Sequence, residues 1–138
     1  MRIDEIMTTD VETCKPDSTL QEVASKMREI NVGSIPICHE GQLIGIVTDR
    51  DIVIRGIAEK IPTEAPISEI LSADVITGSG SLSVEEVAEL MAAHKIRRLP
   101  IVANDRLIGI VSIGDLATED LSGNHYAEEA IIEISEDD

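Results

Sequence analysis

The chain has 138 residues and a formal net charge of −16, and its one aromatic residue is Tyr126. Nucleic-acid binding needs a basic patch and stacking side chains, so this composition excludes that class of partner. There is no apolar run of 18 residues and no signal-peptide core at the start, which predicts a cytoplasmic protein with no membrane partner. The length suffices for one domain, or for two small halves that share a hydrophobic core.

The first half of the chain predicts the element order β-α-β-β-α. The predicted elements are a strand at 11–14, a helix after Ser18, strands at 34–38 and 42–47, and a helix from 49 to about 59. Ser18 is the predicted N-cap, with Gln21 three residues later. Pro36 predicts an edge strand or a bulge, and Glu40-Gly41 predicts a turn.

The second half repeats this order with an offset of 64 positions. Residues 3–52 align with 67–116 without a gap, and 18 of the 50 pairs are identical. The second set of predicted elements is a strand at 75–77, a helix at 83–94, strands at 99–102 and 106–111 with a turn at Asn104-Asp105, and a helix at 113–121. One supersecondary unit is therefore built twice.

The repeat predicts an α/β (α+β) fold with three segments. They are a first repeat at 1–60, a second repeat at 61–121, and an acidic tail at 122–138 that forms a short helix or stays disordered. A half of about 60 residues buries too little surface to be stable alone. We therefore expect the two repeats to pack sheet to sheet with pseudo-two-fold symmetry.

A duplicated turn follows the last strand of each repeat, and two interpretations of it stay open. Thr48-Asp49-Arg50-Asp51 and Ser112-Ile113-Gly114-Asp115 both place a carboxylate three residues after a hydroxyl. This spacing is typical of a capping box at a helix N-terminus. The same geometry offers N–H groups and a hydroxyl to a phosphate, and a carboxylate to a ribose diol.

The complete pattern closely resembles a pair of cystathionine β-synthase (CBS) domains. The residues that carry the resemblance are Ile35-Pro36-Ile37, Gly45–Asp51, Arg97-Arg98-Leu99-Pro100 and Gly109–Asp115, within residues 3–121. The resemblance implies a cleft between the two sheets that binds AMP, ADP, ATP or S-adenosylmethionine. It also implies that the module pairs into a homodimer.

The resemblance also implies roles for individual residues. Asp51 and Asp115 would hold ribose, and Thr48 and Ser112 would contact ribose or phosphate. Two sets of residues would enclose adenine. The first set is 11–13 and 75–77, which includes Thr13 and Thr77, and the second is Pro36, Ile37, Pro100 and Ile101.

The two repeats differ in charge near this turn. Arg50 lies beside Asp51 and is included in the predicted ligand site, whereas its counterpart is Gly114. Lys95, Arg97 and Arg98 replace Asn31, Gly33 and Ser34, so this part of the second repeat is the predicted place for a ligand phosphate. The alternative is that these cations lie in solvent and complement the preceding helix dipole.

No activated nucleophile, metal-ligand spacing or Gly-rich phosphate loop occurs, so the sequence predicts neither an enzyme nor a required cofactor. The leading hypothesis is a regulatory module that binds an adenosine nucleotide and senses energy or metabolite state. The alternative is a dimerisation scaffold with weak nucleotide sites, whose acidic tail binds an unknown protein partner. Cys14 and Cys38 leave open a third hypothesis, a redox sensor, although two reduced buried thiols are favoured.

Overall fold

The computed structural model of the protein describes residues 1–72 and 74–120. The predicted acidic tail, 122–138, lies outside the described residues. Contacts between residues divide the chain into two compact units. The first unit is Glu12–Val75, and the second unit is Met1–Val11 together with the described residues from Ile76 onward. Each unit contains helices and one antiparallel hairpin, so the α+β class is confirmed, whereas the division into repeats at residue 60 stays a prediction.

The first unit contains α1 (Leu20–Ile30), β1 (Ser34–His39), β2 (Gln42–Thr48), α2 (Asp49–Asp51), a π-helix (Ile52–Ile57) and a 3-10 turn (Ile67–Glu69). The N-cap of α1 is Thr19, whose hydroxyl accepts from the Glu22 N–H at 3.0 Å. The predicted N-cap, Ser18, was wrong by one residue. Its hydroxyl instead accepts from the Lys15 N–H at 3.2 Å and so stabilises the preceding turn.

Strands β1 and β2 pair antiparallel with Pro36 opposite Ile46, and the register shifts between Ile37 and Cys38. The bulge that Pro36 predicted is therefore present, one residue further along the strand. The connecting residues Glu40 and Gly41 both have positive φ, 52° and 85°, as a two-residue type I′ turn requires. The predicted turn is confirmed.

The predicted strand at 11–14 was wrong in extent, because the structure has a single parallel bridge from Cys14 to Ile37. The Cys14 N–H donates to the Pro36 carbonyl at 3.1 Å, and the Cys38 N–H donates to the Cys14 carbonyl at 2.9 Å. The next bond of such a ladder would need an N–H on Pro36, and proline has none. The proline that forms one side of this bridge thus also ends the pairing.

The predicted helix after Thr48 changes type within its length. Only Asp49–Asp51 is α-helical, and Ile52–Ile57 is a π-helix whose wider turn is closed by a bond from the Ala58 N–H to the Val53 carbonyl, 2.9 Å. Gly56 is the buried residue of this segment, and a Cβ there would lie 3.0 Å from Leu20 Cδ2. The π-helix thus packs its backbone closely on α1.

The second unit contains a 3-10 turn (Ile3–Glu5), α3 (Val84–His94), β3 (Arg98–Ala103), β4 (Arg106–Ser112) and α4 (Ile113–Asp120). Ser83 caps α3 in a full capping box with Glu86. The predicted strand at 75–77 is replaced by a bridge from Gly78 to Ile101, bonded to the carbonyl of Pro100. Pro100 ends this pairing as Pro36 does in the first unit.

Each unit has its own hydrophobic core, and each core takes an isoleucine from a 3-10 turn. Ile67 completes the first core, beside Leu20 and Val23, and its N–H donates to the Ser18 carbonyl at 2.7 Å. Ile3 completes the second core, beside Val84 and Val87, and its N–H donates to the Leu82 carbonyl at 2.7 Å. The N-terminal segment therefore packs in the unit formed by the second half of the sequence.

Candidate ligand site

The first turn, Thr48–Asp51, connects β2 to α2 and is a complete capping box. The Thr48 N–H donates to Asp51 Oδ2 at 2.9 Å, and the Asp51 N–H donates to Thr48 Oγ1 at 3.0 Å. The capping interpretation of this turn is therefore confirmed. The box uses Oδ2 of Asp51, so the other carboxylate oxygen takes no part in it.

The second turn, Ser112–Asp115, connects β4 to α4 and repeats this geometry. The Ser112 N–H donates to Asp115 Oδ2 at 2.9 Å, and the Asp115 N–H donates to Ser112 Oγ at 3.1 Å. Both carboxylates are half-buried. The two turns therefore hold a hydroxyl and a carboxylate in the same fixed arrangement in each unit.

Neighbouring strands bring the start of each hairpin to its turn. In the second unit Arg98 lies directly opposite Ser112 in the ladder, and the Ile113 N–H donates to the Arg97 carbonyl at 3.0 Å. In the first unit the matching partners are Ser34 opposite Thr48, and the Gly33 carbonyl with the Asp49 N–H, 2.9 Å. The structure thus brings the two predicted arginines to the second turn, and places a glycine and a serine at the first.

The predicted adenine-contacting residues fall into three groups. Thr13 and Thr77 are exposed, and each precedes a residue that bridges to a strand. Pro36 and Pro100 are buried in β1 and β3. Ile37 and Ile101 are 0% exposed and belong to the two cores, so neither residue is accessible at the surface of its unit.

The two cysteines are free thiols of the first unit. Cys14 packs against the core beside Ile37, whereas Cys38 follows the bulge in β1, where its N–H donates to the Cys14 carbonyl at 2.9 Å. Burial raises the pKa of both thiols, which lowers their thiolate fraction and their reactivity. The free thiols and their raised pKa values favour two reduced structural cysteines over the redox-sensor hypothesis.

Within residues 1–72 and 74–120, no three His, Cys, Asp or Glu residues are grouped closely enough to hold a metal ion. None of the helices there is long and apolar enough to cross a bilayer.

One residue of the first turn was not assigned a role from the sequence. Asp49 accepts a hydrogen bond from the Arg50 N–H at 2.8 Å through Oδ1. Its Oδ2 lies 3.2 Å from the position that a Cβ of Gly33 would take. The signal that would have identified it is its counterpart Ile113, because the two turns differ in charge at this position.

The duplication is also found when the chain is compared with known proteins. A family model of the CBS domain matches the chain twice, over residues 3–56 and 67–122. The chain is also 44% identical over 133 residues to the CBS domain-containing protein YhcV of Bacillus subtilis (strain 168), covering 96% of this chain and 94% of that protein.

Two solved structures show the same fold. Hypoxic Response Protein I, whose crystal structure has two coordinated zinc ions, has a TM-score of 0.78 at 33% identity, over 86% of this chain and 98% of that one. The CBS domain pair of protein MJ0100, in complex with 5′-methylthioadenosine and S-adenosyl-L-methionine, has a TM-score of 0.76 at 27% identity. That match covers 88% of this chain and 97% of the other.

Proposed function

The chain belongs to the CBS-domain family, and from this membership we propose that it is a non-enzymatic regulatory module for an adenosine-containing ligand. The candidate ligands are AMP, ADP, ATP and S-adenosylmethionine. The ligand acts as a regulatory signal, and no cofactor is required. The observation that carries the proposal is the duplicated turn, in which a hydroxyl and a carboxylate are held in one geometry twice.

The proposed contacts begin with ribose. Asp51 and Asp115 each use Oδ2 in a capping box, so Oδ1 is the oxygen that would accept from a ribose hydroxyl. Thr48 and Ser112 are fixed beside them as further polar contacts. Because the boxes hold these side chains in place before the ligand arrives, little conformational freedom is lost on binding.

The remaining contacts divide between adenine and phosphate. Thr13 and Thr77 are the exposed residues of the predicted adenine set and would contact adenine, next to the bridges at Pro36-Ile37 and Pro100-Ile101. Arg97 and Arg98 would bind phosphate oxygens near the second turn, and Arg50 is the basic residue of the first. Support for an adenosine ligand comes from the MJ0100 pair, which binds two adenosine derivatives.

The regulatory step requires that the ligand bind one arrangement of the module more tightly than another. Binding to residues at the start of α2 and α4 gives it a direct connection to those helices. A partner that contacts them would then respond to occupancy.

Calorimetry with a panel of adenosine, AMP, ATP and S-adenosylmethionine tests the proposal. We expect at least one of them to bind, and Asp51→Ala with Asp115→Ala to abolish the heat of binding. The matched control is Glu86→Ala, which removes the carboxylate of the third capping box, at α3, outside the proposed site. Absence of binding by the wild type, or equal losses in the control, would contradict the proposal.

A second function, dimerisation, is favoured by one surface. The π-helix exposes Val53, Ile54 and Ile57, with 52%, 48% and 65% of each residue accessible. Clustered exposed aliphatic residues are typical of a protein–protein contact, and in a chain of charge −16 they give two like-charged copies an apolar surface on which to associate. We propose that this surface binds a second copy of the chain.

Light scattering tests the dimer. We expect twice the chain mass for the wild type and a monomer for Ile57→Asp, because a buried unpaired carboxylate would cost more than the contact contributes. The control is Lys60→Asp, another exposed position just beyond the π-helix, which should stay dimeric. A monomeric wild type at micromolar concentration would rule the dimer out.

A further inference from the structure

The two turns share their capping boxes but differ in charge. At matched positions the first turn has Asp49, Arg50 and Asp51, with Gly33 and Ser34 beside it, whereas the second has Asp115 as its one acid. The second turn is flanked by Arg97 and Arg98 instead. The first group therefore carries one net negative charge, and the second carries one net positive charge.

The backbone donors of the first turn are already used within the chain. The Asp49 N–H donates to the Gly33 carbonyl, and the Asp51 N–H donates to the Thr48 hydroxyl. The Arg50 N–H donates to Asp49 Oδ1 at 2.8 Å. The second turn uses the matching Ile113 and Asp115 N–H groups in the same way, so the bond from the Arg50 N–H to the Asp49 carboxylate is what distinguishes the first turn.

The Asp49 carboxylate also occupies the space above Gly33. Its Oδ2 lies 3.2 Å from where a Cβ of residue 33 would be, and in the second unit the matching residue is Arg97. The first turn thus has an exposed carboxylate of its own where the second begins an arginine side chain. A phosphate here would meet like charges from Asp49 and Asp51, offset by Arg50 alone among the residues of the turn.

From this geometry we infer that Asp49 is a specificity-determining residue that excludes phosphate from the first turn. The first unit takes an adenosine derivative without phosphate, either uncharged or cationic, while the second unit takes a nucleotide phosphate. This inference rests on the proposed function, because it assigns a ligand class to each of its two sites.

Calorimetry on the full chain with adenosine and AMP tests the inference, in an Asp115→Ala background that silences the second site. We expect the remaining site, at the first turn, to bind adenosine about tenfold more tightly than AMP, because the Asp49 carboxylate repels the phosphate of AMP. Asp49→Ile, which introduces the residue of the second turn, should remove most of this preference. Adenosine affinity should stay within about twofold.

Two further variants separate charge from shape. Asp49→Asn keeps an acceptor for the Arg50 N–H but removes the charge, so it should also raise AMP affinity. The mirror variant, Ile113→Asp in an Asp51→Ala background, should lower AMP affinity at the second site by about tenfold. Circular dichroism on each variant establishes that it is folded.

The outcomes distinguish this inference from the proposed function. If adenosine binds but AMP binds as tightly in the Asp115→Ala background, or if neither Asp49 variant changes the ratio, the inference is overturned alone. If the wild type binds neither adenosine nor AMP, the result contradicts both the inference and the proposed binding of these two ligands.

Discussion

At the scale of single residues, the hydroxyls of the two turns have a structural role whether or not a ligand binds. Ser112 accepts from the Asp115 N–H, as Ser83 accepts from the Glu86 N–H at the start of α3. These two serines lie in the same unit and make the same kind of bond. The proposed function assigns a ligand contact to Ser112 and none to Ser83.

Ser112→Ala and Ser83→Ala therefore form a matched pair. Each should lower the free energy of unfolding by about 1 kcal/mol, because each removes an N-cap acceptor. Of the two, only Ser112→Ala should lower the affinity for the adenosine ligand, by about threefold to tenfold, because it also removes one hydrogen bond to the ligand. Chemical denaturation and calorimetry measure the two effects, and an equal loss of affinity in Ser83→Ala would show that the effect is one of stability.

At the scale of elements, close backbone packing restricts two strand glycines. A Cβ on Gly109 in β4 would lie 2.5 Å from Met7 Sδ and 3.0 Å from the Thr8 carbonyl, and one on Gly45 in β2 would lie 2.7 Å from the Ser72 carbonyl. Gly114 in α4 is different, because its nearest neighbour would be Ser112 Oγ at 3.4 Å. Leu43–Val47 and Leu107–Val111 are identical in the two repeats, and the glycine in each is required by this close packing.

Gly109→Ala should destabilise the protein by about 1–3 kcal/mol, since the segment at Met7 and Thr8 would have to move away from β4. Gly114→Ala serves as its control and should be neutral, or stabilising by up to about 1 kcal/mol, because alanine is the better helix residue. Thermal unfolding of the two variants measures the difference. Equal stability of both would mean that the contact at Gly109 relaxes without cost.

At the scale of the whole molecule, the compact units do not follow the order of the sequence. Ile3, at the start of the first aligned copy, lies in the second core, and its counterpart Ile67, at the start of the second copy, lies in the first. Both are 0% exposed. A fragment that ends near residue 60 therefore lacks Ile67, which completes the core of the unit that contains Val23.

Ile3→Ala and Ile67→Ala should each cost about 2–5 kcal/mol through the cavity that they leave. Hydrogen exchange should locate the two losses differently, with faster exchange in α3 and β4 for Ile3→Ala, and in α1 and β2 for Ile67→Ala. Ile44→Ala, at a position 38% exposed, is the control and should cost much less. Faster exchange in α1 rather than α3 for Ile3→Ala would contradict the assignment of the N-terminal segment.

The duplicated fold and the duplicated turn could both be predicted from the sequence alone. The 64-residue offset predicted the duplication, because the two copies can be aligned without a gap. The hydrophobic periodicity, the prolines at 36 and 100 and the turn residues predicted the α+β elements, because these signals act over a few neighbouring residues. The duplicated turn was predicted together with both of its interpretations, and the capping box is present in each unit.

Only the tertiary structure decided which segments complete each core, how far the strands at Cys14 and Gly78 extend, and where the Asp49 carboxylate lies. Each of these depends on residues far apart in the chain. The missing N–H of Pro36 matters to residue 12 only once Cys14 is paired with Ile37. Asp49 faces Gly33 only because β1 and β2 bring them together. The residues next to Asp49 in the sequence therefore do not indicate where its charge lies.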